Sequence, residues 1–330
     1  MILLTGATGF AGRHIAESLL ATGKQIRLFV RNQEAANHIF GNHPQISIAE
    51  GELSDVLSIE SALEGISSVI HAAAVVSFWK KRRREMTEVN VRGTANLINM
   101  CLLRDPMPKF VHVSSIAALG RRKDTDLIDE ASSWTDSRMN THYAKTKYLA
   151  ELEVQRGVLE GLPSVIANPG VIIGAGDWNQ NTPQLFRIVD KGLRWYRGGM
   201  NGFVGAKDVA RGLIELMKSE FNSGERFILV SENMSYKELL AQIAKSLMRR
   251  PPQRKAPPGL TRWIGIGSEW LAGMTGREPL ISRETSRFTG NPFRYKGDKI
   301  ANLTDFRYTP MAEVISAAAA EFRKSEERKN

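Results

Sequence analysis

Short apolar runs alternate with amphipathic stretches through the first half of the chain. The runs at residues 2–4, 25–30, 46–49, 68–72, 110–113 and 164–167 read as strands. Between them, residues 12–21, 34–40, 56–64, 85–104 and 141–160 carry apolar side chains at helical spacing; in the first, Ile15, Leu19 and Leu20 share one face. Strand–helix alternation with short turns predicts a parallel sheet covered on both faces, with ligands beyond the carboxyl ends of the strands. The alternation stops near Pro169. A loop-rich segment leads to Gly198-Gly199, then a helix over 208–219 and a strand over 226–230; the remainder reads as helices and Pro/Gly-rich loops without an internal repeat. The expected architecture is α/β: a doubly wound parallel sheet with a smaller, mostly helical C-terminal lobe. Residues 1–169 form the sheet domain and 203–231 return to it. Residues 170–202 and 232–330 form the lobe that contributes a substrate pocket.

The chain of 330 residues is long enough for a core domain plus such a lobe. Its net charge of +10 raises the question of nucleic acid. Three basic clusters carry the charge. The tail from Arg323 to Lys329 is mixed in sign with Glu321, Glu326 and Glu327, and reads as a solvated helix end. The cluster from Arg249 to Lys255 is set among Pro251, Pro252, Pro257 and Pro258, and reads as a linker between lobes. Lys80-Lys81-Arg82-Arg83-Arg84 lacks the interleaved aromatic platform of a nucleic-acid binder, so a solvated helix start is favoured over a site for an acidic ligand. No nucleic-acid partner is expected. Cys101 is the only cysteine, which excludes an internal disulfide and a thiolate metal cluster and suits a reducing compartment. No apolar run approaches the ~20 residues of a spanning helix, and the first strand opens at Met1 with no room for a signal peptide. The expected location is the cytoplasm, with no membrane association and no metal.

Candidate chemistry begins at Thr5-Gly6-Ala7-Thr8-Gly9-Phe10-Ala11-Gly12, directly after the first strand and opening the first helix. Strand, glycine loop and helix in that order are the context of a dinucleotide site. Gly6 permits the tight turn, Gly9 lets the backbone approach a pyrophosphate, and Gly12 lets helix and strand pack. The helix start offers unpaired N–H groups to the phosphates. A second motif, Tyr143-Ala144-Lys145-Thr146-Lys147, puts Tyr143 and Lys147 on one helix face. A fixed ammonium lowers a tyrosine pKa. Bringing it from about 10 to roughly 7 takes about 4 kcal/mol, and a matched acid or base supplies roughly a hundred- to ten-thousandfold in rate. The spacing recurs at Tyr295 and Lys299, in a loop after Gly290 and Pro292, and carries little weight there. Ser114-Ser115 closes the strand at 110–113; such serines cap helices or form turns, or a hydroxyl there bonds a substrate oxygen beside the tyrosine.

Together these segments resemble the extended short-chain dehydrogenase/reductase family over nearly the full chain. The likeness is carried by the glycine loop, His71-Ala72-Ala73-Ala74, Asn90-Val91-Arg92-Gly93-Thr94-Ala95-Asn96-Leu97, Val113-Ser114-Ser115, Tyr143 through Lys147, Asn168-Pro169-Gly170-Val171-Ile172-Ile173-Gly174 and Asp208-Val209-Ala210. It implies a Rossmann fold in which Ser115 polarises the substrate carbonyl, Tyr143 transfers the proton, and Lys147 also holds the nicotinamide ribose. It further implies that Gly6, Thr8, Gly9, Phe10, Gly12, Arg31, Glu52, Leu53, Ala72, Ala73, Asn90, Pro169, Val171 and Ile172 meet the cofactor, and that His71 is a packing residue. The second strand ends Leu28-Phe29-Val30-Arg31-Asn32 without an acid. An acid there selects NAD(H), whereas an arginine accommodates a 2′-phosphate, so NADP(H) is expected over NAD(H); Glu34 is the residue that argues otherwise. Asn168-Pro169 and Arg31 look more like the dihydroflavonol 4-reductase and 3β-hydroxysteroid dehydrogenase branch, with a small-molecule carbonyl or alcohol substrate. Gly174-Ala175-Gly176-Asp177 and the basic run look more like a nucleotide-sugar epimerase with tightly bound NAD. Ser115-Ile116-Ala117 lacks the acid pair of the dehydratases. A non-catalytic NADP-binding regulator is the rival of another class, but such members usually lose the tyrosine or the lysine. The helices at 85–104 and 141–160 correspond to those that pair in family dimers, so the resemblance implies a homodimer.

Overall fold

The computed structural model describes residues 1–121, 127–257, 290 and 292–328. Its central sheet has seven strands: β1 (Ile2–Thr5), β2 (Ile26–Val30), β3 (Ile46–Glu50), β4 (Ser68–His71), β5 (Lys109–Val113), β6 (Ser164–Pro169) and, much later in the chain, β10 (Arg226–Leu229). They lie in the order β3-β2-β1-β4-β5-β6-β10, all parallel. The expected Rossmann sheet is present. Its strands are covered on both sides, which is why they read as continuous apolar runs and not as alternating ones.

Alternate residues of each strand serve opposite layers. Ile2 and Leu4 pack with Ile15 and Leu19 of α1 (Phe10–Ala21) and with Leu213 and Leu216 of α8 (Ala206–Lys218). Leu3, Val69 and Phe110 pack on the other side with Ile59 of α3 (Val56–Ala62), Leu97 of α5 (Gly93–Leu102) and Val154 of α6 (His142–Leu159). Cys101 is buried in this second layer, and burial pushes its thiol up to about 12, so it behaves as an apolar side chain.

The single helix expected over 85–104 is corrected by the structure. It is divided into α4 (Arg83–Thr87), a π-helical turn over Glu88–Arg92, and α5. Asn90 at the centre of that turn points inward, and Thr94 Oγ1 donates to its carbonyl at 2.7 Å, so side chains compete with the regular main-chain pattern.

Beyond Pro169 the structure is more ordered than the loop-rich reading allows. β7 (Val171–Ile173), β9 (Met200–Gly205) and β11 (Glu232–Ser235) make a second sheet, with β9 parallel to β7 and antiparallel to β11. Helices α7 (Gln184–Asp190) and α9 (Tyr236–Ser246) and the C-terminal helix Met311–Glu327 close its core around Phe186, Phe203, Leu239, Ile315 and Phe322. The proline-rich stretch is not a bare linker. Arg254–Lys255 pairs in parallel with Trp195–Tyr196, and Arg249 reaches Asp190 at 3.0 Å. Pro258 and Lys329 lie outside the described residues. No described helix is long and apolar enough to cross a membrane.

Candidate active site

The strand order reverses at β1, with β2 on one side and β4 on the other, and this opens a crevice at their carboxyl ends. Gly6 turns the chain there at φ +75°, and a Cβ on it would lie 2.6 Å from the Ala73 nitrogen. A Cβ on Gly12 would lie 2.0 Å from the Gly6 carbonyl oxygen, so α1 seats on the loop only because that atom is absent. Gly9 differs: its Cβ would meet only Gly6 O, at 3.3 Å. At that distance the Gly6 carbonyl need give by only a few tenths of an ångström, so packing presses for glycine there far less than at Gly6 or Gly12. Gly9 is also the N-cap of α1, with no side-chain cap and no acid in the first turn, which leaves the first N–H groups for an anion.

Above the loop is a cavity of about 430 Å³ lined by Thr8, Gly9, Arg31, Glu52, Leu53 and Ala73 among others. Glycine cradle, uncapped helix start and arginine together fit the adenosine diphosphate half of a dinucleotide. Glu85 and Glu88 line the same cavity. Arg82 grips Glu85 with Nε and Nη2, each at 2.8 Å, and this bond, with the charges of Arg82 and Arg31, holds the Glu85 carboxyl below the usual range. The basic run therefore begins a helix, as expected, but one at the rim of the cavity. The remaining expected cofactor residues divide. Phe10 stands edge-on to His14, with ring centroids 5.6 Å apart. Ala72 lies beneath Gly6. Pro169 ends β6, and Val171 and Ile172 open β7. Asn90 is fully committed to the wall: it donates to Val75 O (2.9 Å) and Thr146 Oγ1 (3.1 Å) and accepts from Val75 N (2.7 Å).

At the end of β5, Ser115 caps the short 3-10 turn Ile116–Leu119 by accepting from Ala117 N at 3.2 Å. Its own proton remains available, and it neighbours Tyr143 closely enough to favour the phenolate. Thr141 caps α6, and Lys147, 2% exposed, lies one turn beyond Tyr143 and donates Nζ to Val113 O at 2.8 Å. The expectation that lysine draws the tyrosine toward neutrality needs correction. Desolvation by burial holds the Tyr143 pKa above its ordinary value and outweighs Ser115, which favours the phenolate. Burial likewise lowers Lys147 to about 8, against the opposing attraction of Glu151.

His71 has both nitrogens engaged. Thr94 Oγ1 gives its proton to Asn90 O, so His71 Nε2 donates to Thr94 (2.9 Å), and Nδ1 accepts from Thr5 Oγ1 (2.7 Å). Burial, then the Lys147 charge, lowers it to about 3, which makes it a neutral strut. The second tyrosine–lysine spacing does not form a pair. Tyr295 is buried beside Ile128, while Lys299 opens a short helix and pairs with Glu225 at 2.9 Å. Among the described residues no cluster of metal-ligating side chains occurs.

One group of residues was missed in the sequence. Glu151, fully buried four residues after Lys147, accepts from Asn168 Nδ2 (2.6 Å) and from Ser114 Oγ. Arg226 on β10 brings Nε to 2.9 Å from its other oxygen, off the N–H axis, as an ion pair. The available signal was a glutamate at i+4 from the lysine on an otherwise buried helix face.

The pattern that defines the NAD dependent epimerase/dehydratase family matches residues 2–229. The chain is 28% identical over 328 residues to a putative dihydroflavonol 4-reductase of Synechocystis, covering 97% of this chain and 94% of that protein. It is 29% identical over 334 residues to sterol demethylase protein B of Methylococcus capsulatus, covering 98% of each. The crystal structure of gox2253 superposes with a TM-score of 0.79 at 28% identity, covering 98% of each chain. The chain thus belongs to the NAD dependent epimerase/dehydratase family, the extended short-chain dehydrogenase/reductases, and is a nicotinamide-dependent enzyme of that superfamily.

Proposed function

We propose that this enzyme transfers hydride between NADP(H) and a carbonyl or alcohol group of a small-molecule substrate, with Ser115, Tyr143 and Lys147 as its catalytic residues. The observation that carries the reading is that Ser115, at the end of β5, neighbours Tyr143 one turn from the buried Lys147, at the same strand ends that bear the glycine cradle. When bound, the nicotinamide supplies or accepts the hydride. Ser115 holds the substrate oxygen. Tyr143, protonated at neutral pH because burial raises its pKa, gives its proton to the oxygen as negative charge develops there. Lys147, an ammonium below about pH 8, stabilises the phenolate left behind and meets the nicotinamide ribose. Arg31 in the cavity supports the choice of NADP(H). Two relatives named for flavonoid and sterol chemistry support a ring-bearing substrate. Residues 1–169, with α8 and β10 of 203–231 lying against the main sheet, form the cofactor half; 170–202 and 232–330 form the substrate half.

A panel of carbonyl compounds with NADPH, followed by loss of reduced-nicotinamide absorbance, tests the reading. Tyr143→Phe should lower turnover by roughly a hundred- to ten-thousandfold without weakening NADPH binding; full turnover in that variant overturns the mechanism. Arg31→Asp should weaken NADPH far more than NADH, and equal effects overturn the choice of cofactor. A second reading, a nucleotide-sugar epimerase, is favoured by Glu85 and Glu88 beside the adenosine end, where an acid suits the free ribose of NAD. Protein that releases stoichiometric NAD on denaturation and leaves every carbonyl untouched would establish that reading instead.

A further inference from the structure

Behind Ser115 and Tyr143 runs a continuous polar chain that the proposed chemistry does not use. Asn168 Nδ2 donates to the main-chain carbonyl of Ser115 at 3.0 Å and to Glu151 at 2.6 Å. Glu151 also takes the hydroxyl proton of Ser114, next to Ser115, and its second oxygen faces Arg226. A carboxylate with no exposure is costly unless its partners are specific. Here the partners converge on the residue that must present its hydroxyl to Tyr143, and Glu151 lies one helical turn below Lys147.

We propose that Glu151 is a positioning residue for this site: through Asn168 and Ser114 it fixes the strand end that carries Ser115, and its charge, shared with Arg226 at the sheet edge, keeps the Lys147 ammonium in place. The proposal rests on the assignment of Ser115, Tyr143 and Lys147 above. Among the described residues, the titratable and charged groups facing this pair are Tyr143 on the same helix, His71 of β4, His112 of β5 and Arg226 of β10. Burial leaves both histidines neutral, Glu151 is the charge that opposes desolvation of Lys147, and Arg226, paired with Glu151, is placed to compete for it. The two should act on the lysine with opposite sign, and a merely structural role would not produce that.

The test follows the lysine ε-carbon resonances of isotope-labelled protein against pH, with Lys147 assigned by its loss in Lys147→Met. Glu151→Gln keeps the volume and an acceptor and removes the charge; it should move the Lys147 midpoint down by roughly one unit. Arg226→Met removes the competing cation and should move it up. Midpoints unchanged in both folded variants, or displaced in the same direction, overturn the proposal; if Glu151→Gln does not fold, an unmoved midpoint in Arg226→Met does so alone. With a turned-over carbonyl, Glu151→Gln should also bring the alkaline fall of kcat to lower pH by the same shift, while the NADPH Kd stays unchanged. Failure to find any reducible carbonyl would count against the proposed function alone, because the titration needs no substrate.

Discussion

Replacing Lys147 by methionine should stabilise the protein while abolishing the proposed chemistry. The side chain is 2% exposed, so its pKa of about 8, lowered from 10.5, is not discounted by solvent screening. Two to three units at about 1.4 kcal/mol each mean that keeping the ammonium folded at neutral pH costs on the order of 3 kcal/mol. Methionine fills a similar volume but leaves Val113 O without its donor, a loss of about 1 kcal/mol. Lys147→Met should therefore gain about 2 kcal/mol at pH 7, measured as a shift in urea denaturation. Because the folded pKa lies below the unfolded one, the unfolded chain binds more protons between the two values, and wild-type stability rises with pH across that window. The variant's advantage is thus complete below pH 8 and is lost as pH rises toward 10.5. An advantage that stays constant through that window, or a variant less stable than wild type at pH 7, would refute the reasoning.

Gly12→Ala should lower the melting temperature sharply or prevent folding, since its Cβ would lie 2.0 Å from main-chain oxygen, whereas Gly9→Ala should cost less than about 1 kcal/mol yet weaken NADPH binding roughly tenfold or more. Equal stability losses in the two would contradict the distinction drawn between packing glycine and ligand glycine. The homodimer implied by the family likeness is supported by exposed leucines on α6 and at the end of α5, where Leu159 is 89% exposed and Leu103 and Leu152 also face outward. Light scattering should give twice the chain mass, and Leu152→Glu should lower it to one; a wild-type monomer at micromolar concentration would rule the pairing out.

The sheet domain is legible in the sequence because each buried parallel strand is a short apolar run, and most runs are followed by a helix with a regular apolar face. Strand boundaries differ from expectation by a residue or two, as at β6, which continues through Asn168 and Pro169. The second sheet is illegible for a local reason. β7 holds three residues, and β9 carries Asn201 and Gly202, neither a strand former. Gly202 is needed because Val230 lies 2.7 Å from where its Cβ would be, a contact between segments that periodicity cannot reveal. The π-helical turn is hidden for the same reason, since Asn90 is drawn inward by Val75, fifteen positions earlier, and by Thr146, on a different helix.

In the candidate site, motif spacing places Tyr143 and Lys147 together but does not reveal what sets their charge states. Tyr143 and Lys147 are on one helix face, yet the neighbour that favours the tyrosine's charged form is Ser115, and the lysine nitrogen lies on Val113 O. Burial opposes charge on both side chains. It holds the tyrosine protonated and brings the lysine close to neutral pH, so the two work as acid and cation only while something offsets desolvation of the lysine. Glu151 is the group placed to do that, and Arg226 is its ion-pair partner at the end of the polar chain. The proposed control of the lysine's charge therefore reaches to β10, a strand that joins the sheet only after β7 and β9 of the second sheet, which is why the tyrosine–lysine motif alone does not reveal it.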